Sequence, residues 1–243
     1  MFPVLLSLLL SALIDPNPSQ KAGLEIHFSN FAGDRPLVPD SIYTNAFGED
    51  YSIRRFKYYI TNIELVNKGD NRRYPVEDSY FLVDDAIGES KLISLKVDPG
   101  KYDAISFMLG VDSLHNVSGA QTGALDPLNG MFWTWNSGYV SVKIEGNSTV
   151  SNLPQKLIEY HLGGFKGRDK VTRRIDLDFN SGTLELTVKK TTRIFVKSDL
   201  NQFFKSVYAL PIRENPACTS AGPLARQFSE NYARLFSIDK KEF

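Results

Sequence analysis

Hydrophobic and polar residues alternate along much of the chain after residue 20, which is the pattern of strands with one buried face. In the segment LEIHFSN, Leu24, Ile26 and Phe28 share one face, and Glu25 and His27 share the other. Further segments of this kind are rich in β-branched and aromatic residues and are bounded by Gly, Asn, Asp or Pro. The predicted strands are LEIHFSN, YSIRRFKYYITNIELVN, SYFLVDD, KLISLKV, YDAISFMLGV, YVSVKIEG, KLIEYHLGGF, RRIDLDF, TLELTVK and TRIFVK.

These segments predict an all-β protein, in the form of an antiparallel β-sandwich of about ten strands with a short C-terminal helix. Long helical patterns do not separate the strands, so a parallel α/β sheet is not expected. The C-terminal helix is predicted because Pro223 lies where a first helical turn tolerates proline and apolar residues follow at helical spacing. A shorter helix is predicted at SDLNQFFKSV, with Ser198 or Asp199 as its N-cap. The apolar residues of the C-terminal helix are Leu224, Phe228, Tyr232 and Leu235.

The N-terminus carries an apolar run, MFPVLLSLLLSALI, about as long as the hydrophobic region of a signal peptide and too short to span a membrane. Neither Lys nor Arg precedes the run, and no Cys follows it to accept a lipid. We expect residues 1–20 to be a signal peptide and short linker that directs the protein to the periplasm or cell surface. The alternative is an apolar N-terminal strand or helix. Residues 21–243 are expected to form a single domain without a transmembrane segment.

Composition excludes several classes of function. The 28 Lys and Arg residues balance 28 Asp and Glu residues, so the chain lacks the excess positive charge that nucleic-acid binding requires. The single cysteine, Cys218, excludes an internal disulfide and a cysteine-based zinc cluster. The sequence has no G-x-S-x-G, P-loop, G-x-G-x-x-G or H-E-x-x-H motif. We therefore assign no catalytic residues and do not expect an enzyme.

The longest interval between predicted strands, residues 112–131, leads directly into both tryptophans of the chain, Trp133 and Trp135. Long ordered loops are often functional. Continued strand alternation would place both indoles on the more polar face of the following strand. A bulge at NSG would reverse this order, and two tryptophans buried in the core are the structural alternative. In the alternating arrangement, Tyr139, Ser141, Lys143 and Glu145 lie on the indole face, and Val140, Val142 and Ile144 face the core.

Each of the three histidines is a candidate metal ligand, because imidazole suits copper and zinc. His27 alternates away from a predicted core face, His115 lies in the long loop, and His161 precedes two glycines that allow close approach. Neither an H-x-H nor an H-x-x-x-H spacing joins them. The residues alone therefore leave open both a metal site assembled across strands and three ordinary hydrogen-bonded histidines.

With these elements, the sequence resembles the MbnP-like family of exported β-sandwich proteins, named for the partner encoded beside a di-haem MbnH enzyme in methanobactin operons. The resemblance lies in LEIHF, YSIRRFKYYITNIELV, YHLGGF and NYARLFSI, and above all in FMLGVDSLHNVSGAQTGALDPLNGMFWTWNSGYVSVKIEG. In characterised relatives, histidine and kynurenine, a product of tryptophan oxidation, hold copper. The resemblance therefore implies a protein that binds copper, as Cu(I) or Cu(II), and a di-haem cytochrome c peroxidase-like partner enzyme.

Carried over by matched position, the resemblance makes Trp133 and Trp135 candidates for oxidation to kynurenine. Indole offers only an N–H donor, whereas kynurenine exposes an aryl amine and a ketone. The candidate copper ligands are, in order, His161, His27, His115 and Met131, whose soft thioether suits Cu(I). The residues expected to support the site from the loop are Asp126, Asn136 and Tyr139.

The alternative function is a non-metal binding module, in which Trp133, Trp135 and Tyr139 stack on a carbohydrate, a peptide or a partner protein. Exposed aromatic side chains suit this role because they offer a large contact area. A purely structural domain requires both indoles to be buried and the three histidines to lie far apart. The positions of the indoles and histidines therefore separate these hypotheses.

Overall fold

The computed structural model describes residues 20–119, 121–134, 137–179 and 182–242, with only the backbone at 241 and 242. The predicted signal peptide falls outside the described residues except for residue 20, and Trp135 and Asn136 lie outside them as well. A search of the described helices finds none that is both long and apolar enough to cross a membrane.

Strands dominate the described residues, which confirms the predicted all-β class. Helices are short and few by comparison, and the longest is the one predicted near the C-terminus. The α-helices are α1 (Ser113–Val117), α2 (Asn201–Phe204) and α3 (Pro223–Tyr232). The strands are β1 (Ala22–Ala32), β2 (Arg35–Pro36), β3 (Tyr43–Thr44), β4 (Asp50–Asn67), β5 (Arg72–Pro75), β6 (Tyr80–Asp84), β7 (Leu92–Val97), β8 (Gly100–Tyr102), β9 (Ala104–Leu109), β10 (Val140–Asn147), β11 (Leu157–Gly163), β12 (Arg173–Asp178), β13 (Leu184–Leu186), β14 (Thr191–Asp199), β15 (Ala217–Cys218) and β16 (Phe236–Glu242).

Two main sheets form the sandwich. Within the described residues, the first sheet has the order β16-β14-β1-β2, with β7 also paired to β1. The second has the order β12-β9-β4-β10-β11-β15, and β3, β5 and β6 pair with other parts of the long strand β4. Strands β8 and β13 form a separate pair. Most pairs are antiparallel, as predicted, but β1 is parallel to β14 and β11 is parallel to β15.

A shared apolar core holds the two sheets together. Leu24, Ile26 and Phe28 of β1 are buried, which confirms the predicted alternation. Phe28 meets Tyr58 and Phe107 of the second sheet edge-on, with ring centroids 6.1 and 6.2 Å apart. Each fully buried side chain of this size stabilises the fold by about 1.5–3 kcal/mol relative to exposure. Residues that alternate away from this core therefore lie on the outer faces of the sandwich.

The C-terminal helix is shorter than predicted. Helix α3 begins at Pro223, as expected, but it ends at Tyr232. Leu235 is buried beyond the helix, and the chain continues as β16, which pairs antiparallel with β14. Leu235 therefore lies in the segment that leads into β16 and not in the helix. The chain leaves the helix there because the edge of β14 is available for pairing with β16.

The shorter predicted helix is α2, and its predicted cap is wrong. Its N-cap is Leu200, without a side-chain cap hydrogen bond. Ser198 and Asp199 are still in β14, because the pairing of that strand with β1 extends to Asp199. Asp199 nevertheless accepts hydrogen bonds from the backbone N–H groups of Asn201 and Gly33, at 3.0 and 2.8 Å. Its carboxylate therefore links the end of β14 to the turn after β1.

Candidate functional site

Three adjacent strands of the second sheet place two rows of charged side chains on its outer face. In β4, β10 and β11, the residues between the two rows, Phe56, Ile144 and Tyr160, are buried in the core, so their neighbours point outward. The strand register then decides which outward residues meet. The first row is Lys57, Lys143 and His161, and the second is Arg55, Glu145 and Glu159.

His161 lies between the two carboxylates of the second row. Its Nε2 atom is 2.8 Å from Glu145 Oε1 and 3.6 Å from Glu159 Oε1. One donor atom from each of the three residues lies within 4.8 Å of the others. The His161 side chain is 15% exposed, and those of Glu145 and Glu159 are 22% and 45% exposed. These residues form a histidine–carboxylate cluster that is partly open to solvent.

Neighbouring charges lower the pKa of Glu145 in this cluster. Burial would raise the pKa of Glu145, but the hydrogen bond with His161 and the charges of Arg55, His161 and Lys143 outweigh it and lower the pKa. Arg55 pairs with Oε2 of Glu145, so Oε1 faces His161 alone. Burial lowers the pKa of Lys143, whose ammonium donates a hydrogen bond to the carbonyl of Gly130. Glu145 is therefore ionised at neutral pH, and Lys143 fastens the loop to the sheet.

The long loop before the tryptophans covers part of this outer face. It contains α1 and two short 3₁₀ turns, Gly123–Leu125 and Pro127–Asn129. Tyr59 of β4 donates its hydroxyl to the Ala124 carbonyl at 3.1 Å, and Tyr139 donates to the Leu125 carbonyl at 2.6 Å. The loop and the sheet thereby bury a second, smaller apolar cluster. Its buried members are Tyr59, Val111, Leu125, Met131, Tyr139 and Val140, and we call it the loop cluster.

Trp133 packs at the edge of the loop cluster and against β11. A Cβ atom added to Gly163 would lie 2.5 Å from the indole ring, so only glycine permits this approach. Gly163 follows His161 by two residues on the same face of the strand, about 7 Å along it. The predicted close approach at the glycines of YHLGG is confirmed. Trp133 and His161 are therefore neighbours on one surface.

The described residues between Trp133 and β10 do not form a continuous strand. Phe132 and Tyr139 form an isolated antiparallel bridge, and the Trp133 N–H donates to the Gly138 carbonyl at 3.1 Å. A bulge separates Val140 from Val142. The predicted parity is therefore wrong for Val140, which joins the loop cluster on the outer face, and Tyr139 is buried. Beyond the bulge the prediction is confirmed, since Val142 and Ile144 lie in the core and Lys143 and Glu145 are turned away from it.

His27 lies on the other sheet. It is on β1, where Ile26 and Phe28 on either side are buried in the core, so it projects from the outer face of the first sheet. Its ring stacks on Phe195 with centroids 4.8 Å apart, and Nε2 is 3.4 Å from Glu25 Oε2. The apolar core separates His27 from His161. The structure therefore does not bring these two candidate ligands together.

His115 belongs to a network at the start of the loop. Asp112 caps α1 by accepting the His115 N–H, and His115 Nδ1 lies 3.0 Å from Asp112 Oδ2. The Tyr80 hydroxyl donates to the same carboxylate at 2.5 Å, and its ring centroid is 4.1 Å from that of His115. Burial would raise the pKa of Asp112, but hydrogen bonds from Tyr80, His115 and Asn62 lower it to about 2. The described contacts of the His115 ring thus tie it to the fold of the loop.

Met131 and Asp126, two further residues predicted for the site, have contacts within the loop. The Met131 side chain is fully buried in the loop cluster. Asp126 caps a 3₁₀ turn by accepting the Leu128 N–H at 2.8 Å. Sequence reasoning missed Glu159 as a site residue and placed Glu145 only on the indole face, because the register that sets them beside His161 is not encoded in local alternation.

An open cleft of about 550 Å³ borders the outer side of Trp133. Trp133, Thr134 and Ser137 line one part of it, and Phe165, Lys166 and Ser220 line another. The Lys166 ammonium lies 4.7 Å from the centroid of the Phe165 ring. The indole thus contacts the strand that carries His161 and also faces a space that a ligand or another protein can enter.

Together, these features define a β-sandwich domain with a loop-capped histidine–carboxylate cluster beside a tryptophan. The sequence model of the MbnP family matches residues 21–220, and the chain belongs to that family. A solved structure of MbnP from Methylosinus trichosporium is similar over 77% of this chain and 79% of that chain, with a TM-score of 0.54. Its sequence identity of 18% supports a common fold alone. A comparison with curated protein sequences gives no match.

Proposed function

We propose that this protein binds copper on the outer face of the second sheet, with His161 as the primary ligand and a kynurenine made from Trp133 as the second. Membership of the MbnP family supports the link to copper. The observation that carries the proposal is the packing of the Trp133 indole on Gly163, two residues from His161. The six-membered ring of the indole contacts Gly163 through Cζ3, Cη2 and Cε3, so the proposal requires the modified side chain to rotate until its amine and ketone face the imidazole.

The residues present fit a copper ion. Imidazole is a good copper ligand, and the carboxylates beside His161 are anionic donors that compensate the charge of the ion. Unmodified indole has no ligand lone pair, which gives the oxidation of Trp133 a chemical purpose. His27 is not part of this site, because it lies across the core.

The modification requires an external oxidant. Cleavage of the indole C2–C3 bond, with addition of two oxygen atoms, gives N-formylkynurenine, and hydrolysis then releases C2 as formate and leaves the aryl amine. Two equivalents of hydrogen peroxide, consumed by a di-haem peroxidase-like partner, would balance this four-electron oxidation, because tryptophan and 2 H2O2 give N-formylkynurenine and 2 H2O. The cleft beside Trp133 supports this role, since it leaves one side of the indole accessible.

The proposal includes export to the periplasm or cell surface. It is supported by the apolar run in residues 1–20. N-terminal sequencing of protein from its native host tests this part. We expect a mature chain that begins near residue 20, and an intact N-terminus in the purified protein would contradict export through a cleaved signal peptide.

Peptide mapping of protein from the native host tests the central claim. We expect kynurenine at position 133 and one bound copper ion, with unmodified tryptophan in protein made without the partner enzyme. His161→Ala should sharply weaken copper binding in the modified protein. Retention of intact Trp133 in the native protein would contradict the modification, and unchanged affinity in His161→Ala would contradict the ligand assignment.

The cleft also favours a second candidate, a non-metal binding module. Trp133 and Phe165 would stack on a sugar or an extended peptide, and the hydroxyls of Thr134, Ser137 and Ser220 would supply hydrogen bonds. Tyr139 cannot contribute, because its ring is buried against Tyr59 and Phe132. Titration of metal-free protein with oligosaccharides and peptides would reveal this function as a fluorescence change that Trp133→Phe removes.

A further inference from the structure

We propose that Glu145 and Glu159 complete the copper site as carboxylate ligands beside His161, and that they make it selective for Cu(II) over Cu(I). This inference rests on the proposed function, because it names further ligands of the same site. It depends on the geometry of strands β10 and β11, and it holds whether or not Trp133 is modified.

The three donor atoms already lie close to the spacing of a coordination shell. Glu145 Oε1 is 2.8 Å and Glu159 Oε1 is 3.6 Å from His161 Nε2, and all three lie within 4.8 Å of one another. Metal–nitrogen and metal–oxygen bonds of about 2.0–2.2 Å allow ligands of one ion to be up to about 4.4 Å apart. Small side-chain rotations therefore suffice to place all three around one ion.

The strand register brings together two carboxylates that a cation would bridge. Glu145 and Glu159 stand directly opposite each other in the β10–β11 ladder. Like charges in such a pair destabilise a sheet. Arg55 compensates Glu145, and Lys143 adds positive charge near both carboxylates, whereas the ion pair found for Glu159 within the described residues is with His161. A divalent ion between the carboxylates would turn this repulsion into attraction to a shared positive charge.

The hydrogen-bond partners of Glu145 resemble those of a metal-binding carboxylate. Arg55 binds Oε2, which leaves Oε1 directed at the position that His161 shares. Metal-binding carboxylates are commonly held by such an outer hydrogen bond. Lys143, which lies beside His161 in the first row, directs its ammonium to the Gly130 carbonyl in the loop. Arg55 is therefore a positioning residue for Glu145 in this proposal.

The donor set decides the oxidation state. Imidazole and carboxylate ligands suit Cu(II), whereas Cu(I) is selected by soft sulfur ligands. The one sulfur candidate of the loop, Met131, is fully buried in the loop cluster. Two carboxylates also stabilise a doubly charged ion more than a singly charged one, by Coulomb's law.

Copper titrations of the full-length protein from its native host test the proposal, with Glu145→Gln, Glu159→Gln and the double variant. Cu(II) binding is measured by competition and by electron paramagnetic resonance, and Cu(I) binding by competition with bicinchoninate. We expect the double variant to bind Cu(II) at least about 10-fold more weakly, the lower end of the effect of residues that support metal sites, with a smaller change for Cu(I). Glu77→Gln, an exposed glutamate between β5 and β6, is the matched control and should leave both affinities unchanged.

The outcomes separate this inference from the proposed function. Unchanged Cu(II) affinity in the double variant, together with loss of binding in His161→Ala, would overturn the carboxylate ligands and leave the copper function standing. Equal losses of Cu(I) and Cu(II) affinity would overturn the selectivity. Absence of copper binding in the wild-type protein would overturn both proposals. Circular dichroism of each variant verifies that the sandwich is folded, which the isosteric glutamine preserves.

Discussion

His27 and His161 have the same local pattern in the sequence, yet the structure gives them different surroundings. Each lies on a strand and alternates away from buried neighbours, and each has a glutamate two residues before it. His27 stacks on Phe195 on the outer face of the first sheet. His161 lies between two carboxylates and beside Trp133, on a face that the loop partly covers.

The two faces differ in the residues that pair with each histidine strand and in the loop residues that pack on it. In the parallel β1–β14 pair, His27 is opposite Phe195, and Glu25 pairs with Arg193 at 2.9 Å, so the charges are already balanced. Beside His161, two carboxylates face each other and an indole covers the next position of the strand. A strand histidine therefore becomes a candidate ligand through its neighbours on other strands and loops.

Removing each imidazole is the strongest test of this comparison. We expect His161→Ala to weaken copper binding at least about 100-fold, which corresponds to about 2.7 kcal/mol, because it removes the central ligand. His27→Ala should leave the affinity unchanged, since His27 lies across the core. Competition titrations with a chelator measure both values. Equal losses of copper affinity in the two variants would show that His27 and His161 contribute equally to copper binding.

A methyl group at Gly163 should displace Trp133 from the His161 face. Because the added Cβ would lie 2.5 Å from the indole, we expect Gly163→Ala to lower the free energy of unfolding by about 1–3 kcal/mol and to change tryptophan emission. Gly88→Ala is the matched control, since nothing lies within 4 Å of its added Cβ, and its effect should stay within about 0.5 kcal/mol. A neutral Gly163→Ala in urea unfolding would contradict the close packing of the indole.

The loop that covers the His161 face should be sensitive to acid through Asp112. Its pKa of about 2 in the folded protein lies below the value of about 3.9 for an unfolded chain. The carboxylate therefore stabilises the fold above about pH 4, and this stabilisation is lost as the pH falls toward 2. We expect Asp112→Asn to cost about 1–2 kcal/mol at pH 7, and this cost should shrink in acid.

Urea unfolding of Asp112→Asn at several pH values checks this expectation. Asp34→Asn, at an exposed aspartate before β2, is the control and should show little effect at any pH. A cost for Asp112→Asn that is the same at pH 7 and at pH 2 would show that the hydrogen bonds to the ionised carboxylate do not hold the loop.

The smallest effect is expected on the His27 face. The Arg193 side chain is 49% exposed, and its hydrogen bond is the main cause of the lowered pKa of Glu25. We expect Arg193→Ala to cost less than about 1 kcal/mol, because solvent screens exposed ion pairs. Urea unfolding with and without about 1 M NaCl measures this cost, since salt shortens the range of the attraction. A larger, salt-insensitive cost would mean that packing against Arg193 matters more than its charge.

Local alternation was sufficient to predict most of the longer strands and their buried faces, but it missed β16 and several short strands. Leu24, Ile26 and Phe28 are buried as predicted, and Pro223 begins the C-terminal helix. These features depend on residues within a few positions of one another. The family resemblance is likewise confirmed by the match to residues 21–220.

The site could be predicted only in part, because it depends on pairing between distant segments. His161 and Trp133 were candidates from the sequence, but Glu159 is set beside His161 by strand geometry and opposite Glu145 by register. The separation of His27 from His161 follows from its place in the other sheet. The bulge after Val140 reversed the predicted direction of that side chain, since an extra residue interrupts the regular alternation at that point of the strand.

The parallel pairing of β1 with β14 has a consequence for the order in which the protein folds. Gly23 and Thr191 are paired although they are far apart in the chain, and contacts of such long range form slowly. β1 is an interior strand of its sheet, held between β7 and β14. Ribosomal synthesis supplies its second neighbour only when four-fifths of the chain exists, so the N-terminal strand has to wait for a late partner. Pulse-labelled hydrogen exchange during refolding should therefore find β1 protected later than the β4–β10–β11 ladder.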